Sequence, residues 1–348
     1  MIHTSDLESN DVLSLEASFH NKIASGHFNF SYSSINKLVR TPSLFYKEYV
    51  LLQKDDEFKK YFLEGTLIHF LVLEDQARFD DHFIVSSENL PSANSIAVIE
   101  KVFKIFEGHG DDSLELKDFT TEVDQVLTDL NLHQHIKDPA KRVAKIIEPK
   151  AEQYFNFLKN KGDKTIIDAE LLDKCTVRAD IVKSNLQARD LLGMDIIQDP
   201  KVSAVYNEYE LECKSDQNWG YKGIIDNFVI DIPTKTVRVN DFKTSSKPLD
   251  QFAEVVMYQN YWIQAIVYLK LIRNFLEEKV KVNPYEWNIE FRFIVFDRYN
   301  QLYPFKISAG TLSEWQFNFD RVIEDIKYHL MTKDFTLPAD YAKGNVEL

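Results

Sequence analysis

Two stretches late in the chain, Tyr221 to Ile230 and Thr236 to Lys243, alternate as strands do. Only Asp231-Ile232-Pro233-Thr234-Lys235 separates them, so they are expected to close an antiparallel hairpin. Successive side chains of a strand point to opposite faces. On that rule Ile224, Asp226, Phe228 and Ile230 share one face, and Val237, Val239, Asp241 and Lys243 share one face of the second strand. Each apolar face therefore carries an acid. A turn centred on Pro233-Thr234 puts Asp226 opposite Asp241, with Cβ atoms about 4.5–5.5 Å apart. Two ionised carboxylates that close repel and lose hydration, so one must hold a proton or a cation must sit between them. Hard divalent cations with oxygen ligands suit such a pair. Lys243 projects to the same side as Asp241, where an ammonium can neutralise developing charge or position a water.

The acid-x-Lys pattern alone is weak evidence. It also begins at Glu57, Glu115, Glu148, Glu212, Glu277 and Asp325. Those lie mostly in helical stretches, where the two side chains diverge. Strand context and the preceding Gly223-Ile224-Ile225-Asp226 set Asp241-Phe242-Lys243 apart from a surface hairpin with ordinary ion pairs.

The rest of the chain frames this hairpin. At 348 residues there is room for one large domain or two ordinary ones, and 44% hydrophobic residues suffice for a substantial core. Segment 1–29 reads as an N-terminal arm, a loose stretch or one short helix. Segment 30–85 opens at a capping signal, Ser31 to Ser34, and continues into an amphipathic helix over Glu57 to Glu74 and a short strand at His82 to Val85. Segment 86–200 is read as a helical insertion, with helices over Lys141 to Leu158 and Ala169 to Asn185. Segment 201–333 holds the strands, including Ser203 to Cys213, Trp287 to Val295 and Leu302 to Lys306. It also holds a long aromatic helix, Val255 to Leu276, and a final one, Thr311 to Met331. Segment 334–348 is a tail. This order predicts an α/β fold, a mixed central sheet flanked by helices with a large helical insertion.

Charge and cysteines narrow the function classes. Forty-one basic against 55 acidic residues leave a net charge of −14, which argues against coating nucleic acid by bulk charge but allows a local basic groove. Cys175 and Cys213 stand too far apart for a CxxC pair or a cysteine metal cluster. Met1 to Asn10 has no secretory pattern, and no apolar run approaches the roughly 20 residues that span a bilayer. A cytoplasmic protein without membrane partners is the expectation.

Other residues could join the acids. His69 lies on the apolar stripe of its helix, where a histidine is more often core than ligand. Gly65, one turn earlier, costs about 1 kcal/mol relative to Ala in a helix, so it predicts close approach of another backbone or a substrate. Tyr261, Gln264 and Tyr268 share a helix face, a pattern that packing alone also produces. On the strand before the hairpin, Tyr206, Glu208, Glu210 and Glu212 alternate onto the face opposite Val205, Tyr209, Leu211 and Cys213.

In order, Gly65-xxx-His69, Gly223-xx-Asp226, Asp241-x-Lys243 and Gln264-xxx-Tyr268 resemble the signature of RecB-like nucleases in the PDDEXK, or restriction-endonuclease-like, superfamily. The nearest resemblance is to the phage-type exonuclease VIII (RecE) group and runs from about Phe30 to Ile272. It implies a deoxyribonuclease that hydrolyses linear double-stranded DNA with Mg²⁺ or Mn²⁺. Metal binding would fall to His69, Asp226, Asp241 and the Phe242 carbonyl, with Glu208 or Glu210 as a further ligand. Lys243 would be catalytic beside Asp226 and Asp241, and Gln264, Tyr268 and Tyr261 would shape the DNA site. The group often has Arg-Pro where this chain has Ile224-Ile225, which puts one DNA-backbone contact in doubt. Implied partners are linear duplex ends, a single-strand annealing protein and further copies of the chain. A structure-specific or defence-related endonuclease, or an inactive DNA-binding scaffold, are the alternatives.

Overall fold

The computed structural model of the chain describes residues 9–53, 60–86, 90–197, 199 and 201–346. It divides into two units, Met1–Leu73 with Arg178–Leu348, and Glu74–Val177. The strands among the described residues are β1 (Asn29–Phe30), β2 (Phe83–Val85), β3 (Thr165–Ile167), β4 (Ser203–Lys214), β5 (Gly220–Asp231), β6 (Thr236–Thr244), β7 (Asn288–Phe296) and β8 (Leu302–Lys306).

In the first unit six strands make one mixed sheet in the order β1-β5-β6-β7-β8, with β4 on the remaining edge of β5. Pairing is antiparallel at β4–β5, β5–β6 and β7–β8. It is parallel at β1–β5 and β6–β7. Helices cover both faces. Phe275 of the Tyr261–Phe275 helix packs on Phe228, ring centroids 5.4 Å apart. On the other face the ends of the Lys60–Leu73 and Leu186–Leu192 helices receive hydrogen bonds from Asn207 and Asn240. This mixed sheet flanked by helices, with a large helical insertion, is a restriction-endonuclease-like α/β architecture.

Because both faces are covered, Ile225 through Ile230 are all buried, acid and amide included. Ile224, expected in the core, is 51% exposed. The register of the hairpin follows the expectation, with Asn227 opposite Asn240 and Phe228 opposite Val239. The ladder stops at Asn227. Farther back on the same edge of β5, Gly220 and Tyr221 pair with β1 instead. Asp226 and Asp241 stand where β5 and β6 part.

Elsewhere the elements differ from the sequence reading in ways that have local causes. The aromatic helix is two helices, Phe252–Gln259 and Tyr261–Phe275, broken at Asn260. Asn260 sits at φ 58°, a left-handed conformation that asparagine tolerates, and its amide donates to Asn36 Oδ1 at 2.9 Å. The helix expected over Lys141 to Leu158 breaks before Pro149, which starts a new one, Pro149–Lys161. Ser31 caps the Tyr32–Arg40 helix in a capping box with Ser34. In the arm, Ser9–Ala24 is a helix that buries Phe19 and Ile23 in the core. Of the helix expected over Glu57 to Glu74 the described part is Lys60–Leu73, and Glu57, Phe58 and Lys59 lie outside the described residues.

The second unit has its own core, in which Val98, Val102, Phe106, Phe119 and Phe155 pack together. It is not wholly helical: β2 and β3 pair in parallel. Thr165-Ile166-Ile167 is a β-branched run too short to show alternation, so only its partner strand reveals it. Among the described residues no helix is long and apolar enough to cross a membrane.

Candidate metal centre

The opening between β5 and β6 leaves backbone groups that the ladder would have paired. Asp226 answers one of them: its Oδ2 accepts the Phe242 N–H at 2.7 Å. On β6, Asp241 is fully buried, and its Oδ1 accepts from Gln264 Nε2 at 2.8 Å. The other Asp241 oxygen meets the Lys243 ammonium. Lys243 in turn lies over the Tyr261 ring, 4.7 Å from its centroid. Burial would lower the lysine pKa, but Asp241 and Asp226 raise it, so Lys243 is held charged.

Glu208 arrives through a distortion that the sequence does not show. It has φ 42°, an uncommon conformation for a side chain of this kind. Asn207 pairs with Asn227 and Tyr209 with Ile225, while no pair forms between Glu208 and Asp226. The kink reverses the alternation: Tyr206 and Tyr209, expected on opposite faces, both lie against Phe228, at 4.6 and 5.9 Å. Such outliers cluster at functional sites. The Glu208 carboxylate lies 3.1 Å from His69 Nδ1, whereas Glu210 is exposed and outside this contact.

His69 bridges the two strands. Its Nε2 is 3.6 Å from Asp226 Oδ2, so each ring nitrogen faces a carboxylate. Burial pulls the imidazole pKa down, but Asp226 and then Glu208 outweigh it and raise it to about 9. One ligand atom each from His69, Glu208 and Asp226 lies within 4.8 Å of the others, a group able to hold a divalent cation. The donor set fits: two carboxylates suit Mg²⁺ or Mn²⁺, and one imidazole favours the softer ion of the two.

Asp241 is not part of that group, being held by Gln264 and Lys243. It still feels it. Burial, then the charge of Asp226, push its pKa up to about 7 despite Lys243, and burial raises Asp226 in the same direction. The expected DNA-shaping pair lies inward: Gln264 Nε2 also donates to the Tyr268 hydroxyl at 3.0 Å, and Tyr268 donates to the Ile224 carbonyl at 2.6 Å. Gln264 thus holds Asp241, and Tyr268 holds Gln264 and the backbone two residues before Asp226. The Phe242 carbonyl faces Lys243 Nζ at 3.4 Å.

The glycines of the motifs divide. A Cβ on Gly223 would stand 3.0 Å from the Tyr268 ring, which would have to give by a few tenths of an ångström. Among the described residues, a Cβ on Gly65 would meet nothing within 4 Å, so no backbone there makes the expected close approach and the substrate alternative stands. Arg178, in the helix expected over Ala169 to Asn185, is a further residue near the site. Arg178 is 5% exposed, pairs with Glu64 of the His69 helix, and donates to Asn300 Oδ1 at 2.7 Å. No sequence signal marks it, since its partners are distant in the chain.

No family model and no curated protein matches this chain. Among solved structures, a protein from Eubacterium rectale provisionally described as an exonuclease is similar over 98% of this chain and 94% of its own. The identity is 12% and the TM-score 0.42. A likeness that distant leaves the chemistry to be argued from the side chains.

Proposed function

We propose that the protein is a divalent-metal-dependent deoxyribonuclease that degrades linear double-stranded DNA from its ends. The observation that carries this reading is one juxtaposition: His69, Glu208 and Asp226 converge within 4.8 Å where β5 and β6 part, beside the charged Lys243. The group resemblance supplies the exonuclease direction, an annealing-protein partner, a cytoplasmic setting and assembly into a homo-oligomer; these belong to the proposal.

When bound, Mg²⁺ or Mn²⁺ would polarise a phosphate oxygen and make a water nucleophilic at neutral pH. His69, Glu208 and Asp226 would hold the ion, His69 as the neutral imidazole once its proton has passed to solvent. The Phe242 N–H fixes the Asp226 carboxylate, and Gln264 fixes that of Asp241. Lys243 places a positive charge where negative charge builds on the phosphate. Lys222 and Lys247 are exposed and available to the DNA backbone, whereas Arg238 is already paired with Asp190 at 3.3 Å.

Digestion of end-labelled linear duplex tests the reading. Cleavage is expected with Mg²⁺ or Mn²⁺, none with chelator, and covalently closed circles should stay largely intact. Rapid cutting of closed circles would instead assign an endonuclease. His69→Ala removes one of the three ligands, so its loss of activity should be partly recovered at high Mn²⁺. A collapsed fold without recovery would make His69 a core residue.

A further inference from the structure

We infer that Asn207, Asn227 and Asn240 form a positioning device for the acids, a chain of amides, buried at Asn227 and Asn240 and half-buried at Asn207, that locks β4, β5 and β6 in one register and ties them to the helix carrying His69. The inference rests on the metal reading above. Each asparagine is next in sequence to an acid of the site: Asn207 to Glu208, Asn227 to Asp226, Asn240 to Asp241. The three are also register partners, Asn207 with Asn227 and Asn227 with Asn240. Their amides run head to tail. Asn240 Nδ2 donates to Asn227 Oδ1 at 2.8 Å, and Asn227 Nδ2 to Asn207 Oδ1 at 2.7 Å. Asn207 Nδ2 then donates to the carbonyl of Leu73 at 2.8 Å. Leu73 ends the Lys60–Leu73 helix, one turn after His69. Side bonds to the Leu192 and Leu191 carbonyls, at 3.2 and 2.9 Å, anchor the chain to the Leu186–Leu192 helix.

The device answers a problem specific to this sheet. Register is ordinarily set by one apolar and one polar face, and a one-residue slip exchanges them. Here Ile225 to Ile230 are buried on both faces, so apolar patterning does not tell one register from the next. A slip would carry the acids to the wrong face at little apolar cost. Asn227 and Asn240 are wholly buried, and buried amide donors must find acceptors; of the three amides only Asn240 Oδ1 has no partner among the described residues. Only the observed register gives the chain of donors an unbroken path. With the amides fixed on one face, neighbouring side chains on β5 and β6 are fixed toward the other. A purely structural role would be served as well by Val or Leu.

Mn²⁺ affinity, measured without DNA by the electron paramagnetic resonance of the free ion, tests this. Asn227→Leu keeps the side-chain shape and removes both donor and acceptor. It is expected to stay folded, with cooperative unfolding, and to weaken Mn²⁺ binding by about 10–100-fold. Ile326→Ala, in the buried face of the Ala309–Thr332 helix, supplies a destabilised control whose Mn²⁺ affinity should match the parent. Should Asn227→Leu fail to fold, Asn207→Ala replaces it. That change leaves the Asn240–Asn227 bond, cuts the tie to Leu73, and should weaken Mn²⁺ binding by about tenfold. A parent that binds Mn²⁺ and a folded variant that binds it equally well would overturn the inference alone. A parent that binds no Mn²⁺ would overturn the metal reading, and this inference with it.

Discussion

Lys243→Ala is expected to lower the rate of phosphodiester cleavage by about a thousandfold while leaving DNA affinity nearly unchanged. The size follows from place. Lys243 is mostly buried, held charged by Asp241 and Asp226, and set over the Tyr261 ring. A positioned charge in a site shielded from water is worth far more to a developing phosphate charge than the same lysine on the surface. Binding should barely respond, since one charge among many backbone contacts contributes little. Single-turnover cleavage in Mn²⁺ and DNA binding in Ca²⁺ separate the two. Equal losses in both would make Lys243 a positioning contact for the DNA.

The second large effect needs no substrate. In chelator above neutral pH, Asp241→Asn should be at least as stable as the parent, and the gap should close toward about pH 4. Its pairing with Lys243, taken alone, predicts the opposite, because breaking a buried pair is costly. The Asp241 pKa of about 7 decides between them: burial and Asp226 outweigh Lys243. The folded protein thus holds a proton on Asp241 that the unfolded chain, at the ordinary value of 3.8, has released. Stability therefore falls as pH rises from near 4 to near 7, and the neutral variant escapes that loss. His69 has the same sign over a higher window, adding stability below its unfolded value of 6.5 that is lost as pH rises through about 9. It does so in parent and variant alike. A cation binding the native state at a hundredfold excess over Kd should raise the parent's stability by about 2.7 kcal/mol. Removing Asp241 takes away a negative charge beside the site, so the variant should gain less. Melting curves with chelator and with Mn²⁺, at several pH values, check all of this. A variant less stable in chelator that keeps the full Mn²⁺ gain would take Asp241 out of the site's electrostatics.

Part of the site was legible before any fold. The hairpin, its register and its two buried acids follow from alternation over Tyr221 to Lys243, because strand periodicity and a short turn leave few other pairings. Lys243 beside Asp241 follows from the same periodicity. The final helix and the Ser31 cap were equally local, and local signals survive folding. His69 was marked only by its spacing from Gly65, a pattern that core packing also produces.

What the tertiary structure decided was everything that depends on residues far apart. Alternation put Tyr206 and Tyr209 on opposite faces, but the positive φ at Glu208 set both against Phe228 and turned the Glu208 carboxylate to His69. The aromatic helix read as continuous because asparagine breaks helices only in some contexts, and the Asn36 contact is one. Arg178 and the three asparagines carry no local mark, since their meaning lies in partners dozens of residues away. Sequence alone determined that β5 and β6 pair and which of their side chains share a face, because a period of two and a short turn set both. The parting of β5 from β6, which makes a paired ladder into a place for a cation, belongs to a sheet in which β1 takes the far end of the same edge. No local pattern encodes that arrangement, because it joins strands that meet only in the folded sheet.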